Sequence, residues 1–253
     1  MLAVSTKKHH KSETYNARQQ SNVNLTFISP NSMQHFPGLP FFEFFIGLAS
    51  DNRKGWFDAH RDAYEREVKA PFHQLVAAMQ VALGAPHDQM KTGDLIFRIN
   101  KDIRFSKDKS PYKLHMAAAF APGGKKDMMN PGFYFQLGAE QCVVYMGVYN
   151  PDTALADRIR RYIAARPEKL EALISAPAFR KTFGTLQGEE QKRVAGDLKE
   201  LATAHPLIAR KQWYFGHNFE PETILENHPV DYLMQVYRSG KAVNDFLTLA
   251  VNS

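Results

Sequence analysis

The sequence predicts an α+β fold: an antiparallel meander sheet of four to five strands flanked by N-terminal and C-terminal helices. Three observations lead there. Apolar residues recur at helix spacing from Phe41 to Leu83, the period shortens to two between Asp94 and Tyr149, and helix spacing returns after Pro151. Short links between successive strands imply antiparallel pairing, because a parallel return needs a long crossover.

Each element has its own signal. Pro40 suits a first helical position, and Phe41, Phe44, Phe45 and Leu48 follow on one stripe. Asp51 or Asn52 is placed to cap a second helix that carries Trp56, Phe57, His60, Tyr64 and Val68 inward. Its outer face pairs Arg61 with Glu65 and Asp62 with Arg66. Pro71 opens a third helix with Phe72, Leu75, Val76, Met79 and Leu83 on one side.

"DLIFRINKDIRF" then alternates, with Phe97, Ile99, Ile103 and Phe105 on one side and Arg98, Asn100, Asp102 and Arg104 on the other. "YKLHMAAAF", "GFYFQLG" and "CVVYMGVY" continue the meander, and "KQWYFGHNF" reads as a fifth strand. Asp152 is placed to cap a helix through Leu155, Ile159 and Ile163, Pro167 starts another, and a charged helix is expected from Gly188 to Ala204. Pro229 and the residues after Gly240 begin two final helices. No repeat and no long Gly/Ser linker interrupts the pattern, so residues 35–253 are expected to form a single α+β domain. Residues 1–34 show neither period nor core and read as a disordered basic leader.

Composition sets broad limits. With 44% hydrophobic and 23% charged residues the chain is an ordinary globular protein, and its net charge of +6 favours anionic partners mildly. The one cysteine, Cys142, permits no internal disulfide and reads as a small buried residue, which fits a reducing compartment. No apolar run reaches the ~18 residues of a membrane span, and the first residues lack a continuous hydrophobic segment. A cytoplasmic protein with no membrane partner is therefore expected. Asn24-Leu25-Thr26 matches a glycosylation acceptor that has meaning only with export. The chain holds no HExxH helix, CxxC pair, GxxxxGK[ST] loop or GxSxG elbow, and His205, His217 and His228 lack ligand spacing. Common metalloprotease, P-loop and α/β-hydrolase readings fall away, and no metal or cofactor is expected.

The unusual stretch is Arg98 to Lys113. It holds six Lys/Arg against two Asp, a net +4 within a chain of net +6. If "FRINKDIRF" is an uninterrupted strand, Arg98 and Arg104 share a face, and Asp102 between them fixes their orientation. A bulge would break that alignment. The turn adds Lys107, Lys109 and Lys113, and Pro111 stiffens it beside Tyr112. Convergent donors on a stiff loop suit a phosphate or carboxylate. Arg98, Arg104, Lys107, Lys109 and Lys113 are the candidate ligand-binding residues, with Asp102 as orienter or base and Tyr112 as proton donor. His60, on an apolar stripe, reads as a core histidine. His115 lies just past the cluster, and "GGKKDMMNPG" reads as a flexible basic loop.

"DNRKGWFDAHRDAYE", "FRINKDIRFSKDKSPYK", "GFYFQL" and "GVYNP", in that order and spacing, resemble a widespread bacterial and fungal family known only as a domain of unknown function, number 2461. The resemblance runs from about Phe36 to Val251, and Arg104 to Lys113 is its most specific part. It implies the extent of the domain and one shared functional face. It implies no reaction.

Three functions remain open on the residues. The first is a binding protein or enzyme for a small phosphate- or carboxylate-bearing ligand. The second is a nucleic-acid-binding module with Tyr112, Tyr134 or Trp213 stacking bases. The third is an interaction protein without a ligand.

Overall fold

The computed structural model describes residues 36–253, Lys192 excepted. The expected leader and the Asn24 acceptor pattern lie outside the described residues. Helix α1 (Leu39–Ser50) buries Phe41, Phe42, Phe44, Phe45 and Leu48. A short α2 (Lys54–Ala59) follows, then one turn at Arg61–Ala63, a π-helical stretch at Tyr64–Lys69, and α3 (Ala70–Leu83). Pro71 thus sits within a continuing helix, in the first turn of α3, where its missing N–H costs least.

The sheet is an antiparallel meander of β1 (His115–Phe120), β2 (Gly132–Gly138), β3 (Cys142–Val148) and β4 (Trp213–Phe219), in the order β1-β2-β3-β4. The single turn α4 (Thr92–Leu95) precedes β1. Between β3 and β4 come α5 (Thr153–Ala164), α6 (Pro167–Ser175), α7 (Pro177–Phe183) and α8 (Lys199–Ala204). After β4 follow α9 (Pro221–Glu226) and the long α10 (Pro229–Val251). Asp152 caps α5, accepting from Leu155 N–H at 2.8 Å.

Register divides the sheet into two faces. Met116, Ala118 and Phe120 pair with Leu137, Phe135 and Phe133, which continue through Val144 and Met146 to Phe215. That face carries the core. Phe72 of α3 packs on Phe135, Tyr237 of α10 on Phe133, and Phe179 and Phe183 of α7 on Phe215. Cys142 is fully buried among them, and burial pushes its thiol up to about 12.

Several expectations are corrected. "DLIFRINKDIRF" forms no strand; it makes single bridges, Ile96 to Ala118 and Asn100 to Tyr112. Three residues separate the bridges on this side and five on the other, so the bulge lies in residues 113–117; here Arg98, Asn100, Asp102 and Arg104 stay exposed in alternation with the more buried Ile99, Lys101 and Ile103. Phe105, expected inward, is 96% exposed. The helix expected from Gly188 shrinks to α8, because Gly188 and Gln187 instead run beside β4, where a Cβ on Gly188 would strike the Gln212 backbone. Gly240 does not divide the last helix. It lies inside α10, where a Cβ would come 2.5 Å from Phe215 Cε2 and 2.9 Å from Met146 Sδ. His60 is exposed, with its Nδ1 donating to Trp56 O at 2.8 Å and its ring stacked on a partly buried Trp56. Arg61 takes Asp58 and Arg66 takes Glu67, so the expected pairs with Glu65 and Asp62 do not form.

Candidate functional site

The basic segment is held at its base and loose at its tip. Phe97 N–H donates to Ala117 O, Lys113 N–H to Ile99 O, and Lys101 N–H to Pro111 O. Neither Asp51 nor Asn52 caps α2, whose N-cap is Arg53. Asn52 instead bonds both backbone groups of Tyr112. The Tyr112 ring is buried and stacked on Phe57, centroids 4.2 Å apart and 17° from parallel. From there Asp102 to Ser110 form an irregular loop.

The structure does not gather the expected site residues. Arg104 turns back on Asp102 in a bidentate pair, Nε to Oδ1 at 2.9 Å and Nη2 to Oδ2 at 2.7 Å, exposed on both sides. That guanidinium holds the Asp102 carboxyl down at about 2, so Asp102 is a poor base. Asp108 is engaged by Lys101 at 2.9 Å and by Ser110, which hold its carboxyl well below the usual range. Lys109 donates to Ile103 O at 3.0 Å. Lys107 is exposed on the loop. The buried ring of Tyr112 sits among α2 residues, on the side of Lys54 and Arg61. Asp102 and Arg104 thus engage each other, Lys109 a backbone carbonyl and Tyr112 the Phe57 ring.

Two of the expected residues do remain together. Lys113 is half-buried with its ammonium 5.4 Å from the centre of the Phe97 ring, and burial, with Arg98 nearby, lowers its pKa. Beside it His115 opens β1. Its pKa falls to about 4 through burial first and then through Lys113 and Lys101. Among the described residues neither Arg98 nor Lys113 has a carboxylate within ion-pair distance.

The second face of the sheet was not anticipated. Its positions are His115, Ala117 and Ala119 on β1, Gly132, Tyr134 and Gln136 on β2, Val143, Tyr145 and Gly147 on β3, and Tyr214, Gly216 and Asn218 on β4. No Asp, Glu, Lys or Arg occurs there, whereas a solvated sheet face is normally polar. Instead the rings form a row. Phe97 lies 6.0 Å from Tyr134, Tyr134 6.2 Å from Tyr145, Tyr145 6.0 Å from Tyr214, and Tyr214 5.4 Å from Tyr149. They line a cavity of about 370 Å³, walled on one side by Lys125, Asp127, Met128 and Asn130 of the loop expected to be flexible. That loop is organised by Asp127, which accepts from the N–H groups of Gly123 and Asn130 at 3.0 Å each. Burial raises the Tyr134 phenol to about 12 and lifts that of Tyr145, so both stay protonated.

The signal for this face was present in the sequence: tyrosines stand out of phase with the core residues in "GFYFQLG", "CVVYMGVY" and "KQWYFGHNF". Of the rings expected to stack bases, Tyr134 belongs to the row. Trp213 is fully buried with Nε1 donating to Leu207 O at 2.8 Å, and Tyr112 is buried against Phe57. Among the described residues no three His, Cys, Asp or Glu are grouped to hold a metal, and no helix is long and apolar enough to cross a membrane.

No curated protein matches the sequence. The family pattern described as conserved hypothetical protein (DUF2461) matches residues 40–246, which include the whole sheet, its covering helices and the Asn52–Tyr112 junction. The chain belongs to that family.

Proposed function

We propose that this protein binds a small phosphate- or carboxylate-bearing ligand at Arg98 and Lys113, next to Phe97, a ring that lines the tyrosine-walled cavity. The observation that supports this reading is the state of Lys113, a half-buried ammonium over Phe97 with Arg98 alongside and no carboxylate paired to either. Like charges held together in a partly desolvated place repel, and a bound anion offsets that repulsion. One charge-assisted hydrogen bond contributes about 1.5–3 kcal/mol, or roughly tenfold to a hundredfold in affinity. The anion site is thereby centred on two of the five basic residues singled out in the sequence. A reaction through Asp102 and Tyr112 is not part of the reading, because one carboxylate is spent on Arg104 and the other ring is packed on Phe57.

The test is melting of the full chain with and without millimolar phosphate, sulfate or a simple carboxylate. Anion stabilisation of the wild type, lost in Arg98→Gln and Lys113→Gln but kept in Arg104→Gln, supports the reading. Stabilisation that survives both substitutions overturns it. Binding confined to polynucleotides, falling steeply with salt, would replace it with a nucleic-acid interface.

A further inference from the structure

The cations account for one end of a ligand, and the ring row describes the other. Tyr145 is packed down on β4 because Gly216 has no side chain; a Cβ there would run into Cε1 and Cδ1 of the ring. Tyr145 also lines the cavity, beside Tyr134 in the same row. The result is a row of aromatic rings along the sheet, successive planes tilted 37° to 72° from one another, with no charged side chain rising from the strands to interrupt it. Here Asp127 and Asn130 are bonded to each other, Nδ2 to Oδ2 at 2.9 Å, and Lys125 is bonded to Gly93 O. Two ring-to-ring steps, 6.0 and 6.2 Å, separate Phe97, which carries Lys113, from Tyr145. A ring-bearing ligand bridges that span, and a bare phosphate does not.

We infer that the cavity takes a planar conjugated ring joined to a phosphate or carboxylate, with the ring on Tyr134 and Tyr145 and the anion at Arg98 and Lys113. The charged end rests on the function proposed above; the ring platform rests on the sheet face alone.

Calorimetric titration of the full chain with paired probes tests both parts: adenylate, adenosine and ribose phosphate, and separately naphthoate and acetate. Stacking of one ring on tyrosine adds about tenfold or more to affinity. Adenylate or naphthoate should therefore bind about tenfold or more tightly than its ring-free fragment. Tyr145→Leu, checked for folding by its melting curve, should erase that advantage and leave the fragment's affinity unchanged. Arg98→Gln should weaken the intact probe and the anionic fragment alike. Equal binding of intact probe and ring-free fragment for both pairs, or no binding of either intact probe, overturns the inference. Adenosine binding as well as adenylate would keep the platform and remove the anion site. A polynucleotide binding where neither intact probe does overturns both.

Discussion

The side-chain amide of Asn52 holds both backbone groups of Tyr112. Its Nδ2 donates to the Tyr112 carbonyl at 2.9 Å and its Oδ1 accepts from the Tyr112 N–H at 3.2 Å, across 60 residues of chain. The helix start and the basic segment are thus joined by an amide that imitates a strand partner. With Phe57 stacked on the Tyr112 ring, the junction fixes the direction in which Lys113 leaves the loop.

Asn52→Ala should therefore lower stability by about 1–3 kcal/mol, since two partly buried backbone groups lose their partner. The loop from Asp102 to Ser110 should also be cleaved faster by a protease, because the base that anchors it is loosened. Urea unfolding and limited proteolysis measure the two effects. An unchanged midpoint would show that water replaces the amide without cost.

Arg104→Ala should melt with the wild type and keep the response to anions. Its pair with Asp102 is exposed and open to screening by salt, and its guanidinium is already engaged by that carboxylate. Loss of the anion response in this variant would move the site to the loop tip.

His115 gives a pH signature. Its folded pKa of about 4 lies below the ordinary value near 6.5, so the unfolded chain takes up the proton first as pH falls. Its contribution is constant above about 6.5, lost progressively on going down toward 4, and constant again below. The slope cannot exceed about 1.4 kcal/mol per pH unit. His115→Gln should flatten the acid side of the stability curve relative to the wild type, as read from urea midpoints at neutral and mildly acid pH. Parallel curves would show that His115 titrates alike in both states.

Gly240→Val should destabilise by about 1–3 kcal/mol through overpacking, because Phe215 and Met146 occupy the space beside Gly240. A melting curve checks this, and a variant as stable as the wild type would mean that α10 can shift off the sheet.

Local patterning by itself determined much of this protein. The aromatic stripe of α1, the Asp152 cap, the alternation of four strands and their meander order are written in short windows, because helix and strand periods are properties of a few consecutive residues. The same alternation carried the tyrosine face, in phase opposite to Phe133, Phe135, Met146 and Phe215. What only the tertiary structure decided was which partners each charged or amide group found. Asp102 turned to Arg104, Asn52 left the helix cap for Tyr112, and Gly240 continued its helix to admit Phe215. Lys113 came to lie over Phe97, a ring of the cavity wall. A period of two does not say whether a segment finds a strand partner, and the number of charges in a segment does not say which are already paired; both depend on the path the chain takes once it is folded.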